Sequence, residues 1–308
     1  MVERFNKKYS RGAALITALV VVAIATTLAA GVALGTQIHL RQVENLRDRA
    51  QAAAVEQGAI SWAMEVIKRD DANVDHMAEE WATVLPPLPV EHGAARIVAT
   101  DAQALFNLNN VWRQNAPSQA DIAVFRRLLQ ALDLNPALVE AVVDWIDPDT
   151  EARPGGADDP TYMAQKPSYR AANQPISSVE ELRLIQGFDT ETVEKLAPYV
   201  VALPTPTDIN VNTAPALILS ALFNLPLAGA EQFVKSRDGR KSGLSKPDEL
   251  EKLLPEGTSL PKKGFGFKTA YFKVHVISQF GRSARRMDAL ISRSGNKPVL
   301  LWKSQRLI

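Results

Sequence analysis

Residues 144–159 contain six carboxylates and one arginine within sixteen consecutive positions. The six carboxylates are Asp144, Asp147, Asp149, Glu151, Asp158 and Asp159. Like charges at this density repel one another unless water solvates them or a cation bridges them. Calcium binds six to eight oxygen atoms with loose geometry, which suits a loop that can turn carboxylates and carbonyls inward. The pattern therefore predicts a calcium site, with Asp147, Asp149, Asp158 and Asp159 as first ligands and with Glu151 and Asp144 behind them.

Two other interpretations of this acidic loop remain open from the residues alone. Asp158 follows Asp147 by eleven positions, which is the first-to-last separation of an EF-hand loop. Ala152 stands where the EF-hand requires glycine, so the segment is not an EF-hand. The loop could also be a solvated turn in which Asp147-Pro148 only ends a helix, because proline rarely follows a helical residue.

The first predicted element of the chain is an apolar N-terminal segment. Arg4, Lys7, Lys8 and Arg11 precede Gly12, and residues 13–38 then contain no charge. About 20 apolar residues are enough to cross a bilayer core. Basic flanks stay on the cytoplasmic side, so the rest of the chain is expected to cross the membrane. An uncleaved single-span signal anchor is the plain alternative.

Composition excludes several classes of function. The chain has 308 residues, a formal net charge of +1 and no cysteine. The charge balance gives no sign of a nucleic acid partner, and thiol chemistry and disulfides are excluded. The four histidines are scattered, so no zinc-ligand spacing is visible. The crowded carboxylates could in principle supply an acid–base pair for an enzyme, but no nucleophile lies in a recognisable setting.

Periodicity divides the chain into a long helix, a helical insert and a strand-rich end. Apolar residues at steps of three and four from Leu40 to Ile67 predict that the anchor continues as an amphipathic helix ending near Asp70. Further helices are predicted over residues 120–132, 136–146, 179–185, 190–203 and 214–223, and strands over 95–100, 271–278, 285–292 and 299–303, with 104–108 extending or pairing with the first strand and a Gly295-Asn296 turn before the last.

The expected fold is α+β, with a long N-terminal helix packed on an antiparallel sheet and a large inserted all-α domain. The predicted divisions are 1–12 as a leader, 13–38 as the membrane half of the helix, 39–108 as the rest of the helix and the first strand, 109–208 as the inserted domain with the acidic loop, and 209–308 as the remainder of the first lobe.

Several segments in the same order resemble the minor pseudopilin K family of type II secretion systems. The segment Lys-Lys-Tyr-Ser-Arg-Gly before the apolar run resembles a type IV prepilin leader. Most pilins have Glu at the fifth mature position, whereas Thr17 stands there, as in this family. The phrases Phe-Asn-Leu-Asn at 106–109 and Ile-Asn-Val-Asn at 209–212, and the acidic loop followed by Tyr162, also match.

The resemblance implies a type IV pilin-like lobe that carries the inserted helical domain. It implies cleavage by a prepilin peptidase between Gly12 and Ala13, and two calcium ions in the helical domain. It further implies a non-enzymatic subunit in the inner membrane of a Gram-negative bacterium, with its C-terminal part in the periplasm. There it would sit at the tip of the pseudopilus above the major pseudopilin, and initiate assembly with minor pseudopilins I and J for protein secretion across the outer membrane.

A DNA-binding module of the helix-hairpin-helix type is the main alternative. The Asn-Val-Asn-Thr-Ala phrase at 210–214 and the helix after it resemble such units. These units hold phosphate with glycine-rich hairpins and nearby basic residues. Residues 208–234 contain no Lys or Arg, and Asn224-Leu-Pro-Leu lacks the hairpin glycine. We therefore expect no nucleic acid partner.

Overall fold

The computed structural model describes residues 10–90, 93–280, 283–295 and 297–307. Arg4, Lys7 and Lys8 of the leader, and Asn296 of the predicted turn, lie outside these residues. The helices are α1 (Ser10–Arg69), α2 (Gln119–Ala131), α3 (Leu138–Ile146), α4 (Asp159–Met163), α5 (Thr190–Leu196), α6 (Ala216–Phe223), α7 (Leu227–Asp238) and α8 (Pro247–Glu251). The strands are β1 (Leu88–Val90), β2 (Gly93–Asp101), β3 (Phe106–Asn107), β4 (Trp112–Arg113), β5 (Ala116–Pro117), β6 (Val200–Val201), β7 (Ile209–Asn210), β8 (Phe265–Gly266), β9 (Tyr271–Phe280), β10 (Ser283–Ser294) and β11 (Lys297–Leu307).

Helix α1 is a continuous helix of 60 residues, and Gly31 and Gly35 do not interrupt it. Its first half contains an 18-residue window with a mean hydropathy of 2.4, none of it buried. Among the described residues this helix is long and apolar enough to cross a membrane. Apolar side chains from Leu15 to Leu46 are exposed along it. This half is therefore compatible with a single-pass membrane anchor.

The second half of α1 packs on the large sheet. Its buried side includes Ala52, Ile60 and Ile67, and the core here also contains Phe272 of β9 and Met287 of β10. The predicted apolar stripe begins too early, because Leu40, Val43 and Leu46 are exposed. The reason is that the sheet reaches only the later turns of the helix.

The large sheet has five strands in the order β1-β2-β9-β10-β11, and all of its neighbours are antiparallel. Phe272 of β9 lies opposite Asp101 of β2, and Val274 lies opposite Ala99. The helix, the sheet and the further helices confirm the predicted α+β fold. The prediction for residues 104–108 is wrong, since β3 pairs in parallel with β6 in a separate two-stranded sheet.

The helical region inserted between β2 and β9 is larger than residues 109–208. One core joins Phe106 and Phe125 to Ile218, Phe233 and Leu250. Helices α6, α7 and α8, which follow the predicted division at residue 208, bury their apolar side chains against the earlier helices. Only the part of 209–308 that begins with β9 returns to the large sheet.

The predicted helix over 190–203 also ends earlier than expected. Helix α5 stops at Leu196, and residues 197–199 form a single 3₁₀ turn before β6. Pro198 has no N–H to continue the helical hydrogen bonds. Val200 and Val201 are buried as a strand instead.

Two asparagine phrases brace the helical region in a similar way. Asn109 donates to the carbonyls of Ile176 and Leu203 and accepts from the N–H of Ile176. Asn212 donates to and accepts from the backbone of Leu244 in the same manner. Both side chains are buried, and they satisfy backbone groups of distant loops.

The junction of the two lobes lies at the end of α1 that is farthest from the apolar anchor. Buried Arg293 of β10 donates to Asp75 at 2.5 and 2.6 Å and to Asp70 at 2.9 Å. Asn210 of the helical region donates to the carbonyl of Asp75 and to the carboxylate of Asp101. The helical region is thus fixed to the C-terminal end of the long helix.

Candidate functional site

The acidic loop joins two helices whose ends position its first and last aspartates. Helix α3 ends at Ile146, and the N–H of Asp147 still donates to the carbonyl of Val143. Asp158 is the N-cap of α4, and its Oδ1 accepts from the N–H of Asp159 at 2.6 Å. Aspartate at this position stabilises a helix start. The two helix ends therefore bring Asp147 and Asp158 close together.

Asp147, Asp149 and Asp158 form the centre of the candidate site. Each offers a carboxylate oxygen that lies within 4.8 Å of the other two. Asp147 and Asp158 are buried, whereas Asp149 is exposed. Oδ1 of Asp147 and Oδ2 of Asp158 are buried and have no hydrogen-bond partner. Buried carboxylate oxygens without partners are costly, so this pair calls for a cation.

The electrostatics of the loop agree with this geometry. Burial raises the pKa of Asp147 to about 6, and the carboxylates of Asp149 and Asp144 act in the same direction. Burial also raises the pKa of Asp158, and the neighbouring carboxylates of Asp159 and Asp149 add to this effect. Burial and the neighbouring carboxylates thus raise the pKa of Asp147, whereas Arg153, 3.5 Å from its Oδ2, acts in the opposite direction.

Asp144, another predicted ligand, is not one of these three carboxylates. Its Oδ2 accepts from the N–H of Arg153, and its Oδ1 lies 3.1 Å from Nε of the same arginine. A Cβ on Gly156 would collide with the Asp144 carboxylate, so glycine is required there. Asp144 therefore stabilises the segment from Arg153 to Gly156, where the loop turns back, and lies outside the group of three carboxylates.

The remaining two predicted ligands also lie outside the group of three. Asp159 accepts from the N–H of Ala171, and Arg170 lies 3.8 Å from its Oδ2. Glu151 is exposed, and its N–H donates to Asp149. The structure thus brings together three of the six predicted carboxylates.

Sequence reasoning missed Asn173, which lies against the same loop. Its N–H donates to the carbonyl of Trp145, and its Nδ2 donates to the carbonyl of Asp149. Its Oδ1 is buried without a hydrogen-bond partner. The residue lies 24 positions after Asp149, and only its positive φ of 47° marks it as special. Asparagine tolerates this conformation better than most residues, but no sequence signal indicated the contact.

The oxygen set fits calcium better than a transition metal. Hard carboxylate, amide and carbonyl oxygens are the ligands that calcium takes, and no histidine or cysteine belongs to the group. The three carboxylates are the oxygen donors that the fold brings together, and Oδ1 of Asn173 is a further buried oxygen beside the loop without a hydrogen-bond partner. Both predicted calcium ions stay predictions.

The other predicted functional position lies at the start of α1. Gly12 and Ala13 are in the first turns of the helix. The hydroxyl of Thr17 donates back to the carbonyls of Ala13 and Ala14 at 3.1 and 3.0 Å. Such back-bonding satisfies a hydroxyl inside the helix itself. Thr17 therefore places no charge and no free donor in the apolar half of α1.

The two asparagine phrases have structural roles that the DNA-binding alternative does not need. The side chains of Asn107, Asn109, Asn210 and Asn212 all bond to groups of this chain. The alternative gains no support from this arrangement.

Comparisons with known proteins agree on one family. Two family models described as protein K of the type II secretion system match residues 104–205 and 209–268. The type II secretion system protein K of Pseudomonas aeruginosa is 33% identical over 294 residues, which cover 91% of this chain and 87% of that protein. The protein K of Klebsiella pneumoniae is 35% identical over 244 residues, which cover 74% of this chain and 75% of the relative.

A solved structure has a similar fold. It is the crystal structure of the GspK–GspI–GspJ complex from the type II secretion system of enterotoxigenic Escherichia coli. The match has a TM-score of 0.71 and 24% identity, and it covers 86% of this chain and 99% of that chain. The architecture of a long helix, an antiparallel sheet and an inserted helical region is therefore shared.

Proposed function

Because this chain belongs to the type II secretion system protein K family, we propose that it is a minor pseudopilin at the tip of the secretion pseudopilus. In this role it initiates assembly of the filament together with minor pseudopilins I and J, in support of protein secretion across the outer membrane. The crystal structure with the similar fold is that of a complex of GspK with GspI and GspJ, which supports these partners. The role is structural and not enzymatic.

The position of the helical region is the observation that carries the proposal. It is attached at the C-terminal end of α1, through the contacts of Asn210 with Asp75 and Asp101. A helix of 60 residues is about 90 Å long at 1.5 Å per residue, so the region lies far from the membrane half. A subunit added on top would have to pack where this region lies. The geometry therefore favours a terminal position.

Thr17 supports the same position. In pilins that have a fifth-position glutamate, that carboxylate pairs with the N-terminal amine of a neighbouring subunit, because an unpaired charge in hydrocarbon is costly. The hydroxyl of Thr17 is already satisfied by Ala13 and Ala14. A subunit with no neighbour above it does not need the carboxylate.

The acidic loop is proposed to bind calcium through Asp147, Asp149 and Asp158. The orphaned oxygens of Asp147 and Asp158 support this assignment. The ion would fix the loop between α3 and α4 and so keep the helical region rigid at the filament end. The second calcium ion that the family resemblance implies is proposed to lie in the same loop and to depend on the same aspartates.

We also propose a location in the inner membrane, with the N-terminus cytoplasmic and the C-terminal part periplasmic. A prepilin peptidase would cut between Gly12 and Ala13 and leave α1 as the anchor. The chain would then lie above the major pseudopilin, which forms the shaft.

The test is to count labelled copies of this chain in filaments assembled with the major pseudopilin. We expect one terminal copy for the wild type and also for Thr17→Glu, because the helical region still blocks the next subunit. The Thr17→Glu variant should assemble less well, since its carboxylate lacks a partner in the membrane. Many copies along the shaft would overturn the tip assignment.

Gly12→Val is the matched control for this count. It should leave the leader uncut, and mass spectrometry should then find the leader attached and no copies in filaments. The wild-type protein should begin at Ala13. A wild-type N-terminus at Met1 would contradict the processing step. The number of labelled copies per filament would still test the tip position.

A further inference from the structure

Strand β11 is an open edge of the large sheet. It has eleven residues and pairs with β10 on one side, and no other described strand of the chain pairs with its second side. The opposite edge, β1, has only three residues and contains Pro89, which has no N–H to donate. A long edge with free backbone groups is a template for another strand. One edge of the sheet is thus blunted and the other is not.

The side chains of β11 leave apolar surface at this edge. Val299, Leu301 and Trp302 are 52%, 41% and 40% exposed. Leu300 lies opposite Ile291 and packs toward α1, whereas Trp302 lies opposite Leu290 on the other face of the sheet. Natural edge strands seldom expose apolar side chains unless another chain covers them.

The charge of β11 distinguishes between possible occupants. The strand contains Lys297, Lys303 and Arg306 and no acidic residue. Lys303 is exposed and donates to the neutral Oε1 of Gln57 at 3.3 Å; within the described part of the chain it has no carboxylate partner. Like charges on directly opposed strands are destabilising. A second copy of β11 is therefore a poor partner, and an acidic segment is a good one.

We propose that β11 binds an extended acidic segment of a partner polypeptide as a sixth strand of the large sheet. Main-chain hydrogen bonds along the edge provide the affinity, and alternate side chains provide the selectivity. Lys303 lies opposite Ala289, on the face toward α1, and Trp302 lies on the other face. Because side chains alternate along a strand, the partner places acidic residues beside Lys303 and apolar residues beside Trp302. This proposal goes beyond the filament role and does not depend on a position at the tip.

The probe is a fluorescein-labelled acetylated peptide of four Glu-Val repeats, added to the full chain in detergent micelles. We expect its anisotropy to rise with protein, compared with empty micelles, and the backbone amides of residues 299–305 to become protected from hydrogen exchange. The same peptide with alternate amides N-methylated cannot add as a strand and should not bind. A Lys-Val peptide of equal length should bind more weakly than the Glu-Val peptide.

Charge reversal on the protein tests the same contact from the other side. Lys303→Glu should weaken binding of the Glu-Val peptide about fivefold or more, as expected for the loss of an exposed ion pair and its replacement by repulsion. It should strengthen binding of the Lys-Val peptide. Lys252→Glu, an exposed control outside the sheet, should change neither affinity.

Three results with the peptides would overturn the proposal, and a fourth result without peptide would do the same. They are equal binding of the N-methylated peptide, equal binding of the Lys-Val peptide to the wild type, and protection of amides outside β11. Protection of β11 that grows with protein concentration in the absence of peptide would show that a second copy fills the edge. If Lys303→Glu does not fold, the three peptides on the wild-type chain still decide the outcome.

Discussion

Within the described residues there are two clusters of three carboxylates, and their negative charge is balanced in different ways. Asp70, Asp75 and Glu79 meet at the junction between the lobes, and Asp147, Asp149 and Asp158 meet in the acidic loop. Arg293 lies inside the first cluster and donates to two of its carboxylates. In the loop, Arg153 pairs with Asp144 at 3.1 Å. Of the three clustered carboxylates it contacts Asp147, whose Oδ2 lies 3.5 Å away. The junction contains Arg293 as its cation, whereas the loop is proposed to bind a cation from solution.

This difference distinguishes a carboxylate cluster that an arginine stabilises from one that is expected to need a bound ion. An arginine supplies fixed charge and directed hydrogen bonds, so a cluster around it needs no further ligand. Orphaned oxygens of Asp147 and Asp158 remain in the loop even with Arg153 nearby. Calcium should therefore affect the loop and leave the junction unchanged.

Removing the positive charge of Arg293 should lower the free energy of unfolding more than any other change proposed here. Arg293→Met leaves Asp75 buried with no opposite charge, and breaking such a pair costs about 3–5 kcal/mol. The measurement is thermal unfolding of the full chain, followed by tryptophan fluorescence, with calcium present. Arg183→Met is the control, because its pair with Glu180 is exposed and such pairs contribute under about 1 kcal/mol.

Calcium also sharpens this first test. Excess calcium should not restore the stability of Arg293→Met, since the junction is shaped around a guanidinium. If calcium restored the variant, the two clusters would be equivalent and the comparison would fail.

Loss of calcium from the acidic loop should have the next largest effect on stability. Calcium should raise the Tm of the wild type, because binding to the folded state alone contributes about 2.7 kcal/mol at one hundred times Kd. The Asp147→Ala/Asp149→Ala double variant should show no calcium-dependent shift. Glu151→Ala should keep the shift, because Glu151 is exposed and lies outside the group of three. A wild-type Tm that ignores both calcium and chelator would rule out the ion site.

The smallest effect concerns Glu79 of the junction. Burial raises its pKa to about 7, although its carboxylate accepts from the N–H of His76 and from Nε1 of Trp81. A raised pKa means that its contribution to stability is complete below about 4.5, the unfolded value, and is lost as pH rises through about 7. The wild type should therefore lose about 1–2 kcal/mol more than Glu79→Gln between pH 5 and 8, within the limit of about 1.4 kcal/mol per pKa unit.

Saturating calcium should be present in this pH series, so that titration of the loop does not contribute. Glu80→Gln is a suitable control because Glu80 is the exposed neighbour. Parallel pH profiles for the wild type and Glu79→Gln would show that the junction does not titrate through Glu79.

The sequence predicted those parts of the fold that have a regular period. Helices α1, α2, α3 and α6 and strands β9 and β10 carry period 3.6 or period 2, and their predicted positions agree with the structure to within a few residues. Strand β3 and its partner β6 have two residues each, too few for any period. The sequence did not indicate which core α6 joins, because an apolar helix has the same pattern in either lobe.

The sequence predicted the acidic loop from its residue types, but it did not predict which of the carboxylates come together in the fold. The acidic loop stood out because its carboxylates are close together in sequence. Which three of them converge depends on the helix ends at Asp147 and Asp158 and on the use of Asp144 by Arg153. Asn173 and Arg293 reach their clusters only through folding, so no local pattern could identify them.

The place of the helical insert also constrains the order in which the chain can fold. Asp101 at the end of β2 lies opposite Phe272 of β9 in the sheet, although the whole helical region separates them in sequence. Closing a flexible loop of that length costs about 4–5 kcal/mol of chain entropy. A helical region that folds first removes most of this cost, because Gln103 bonds to Asp208 and Ala270 and so brings the two ends together. The lobe that carries the anchor should therefore complete its sheet last, after the insert has formed.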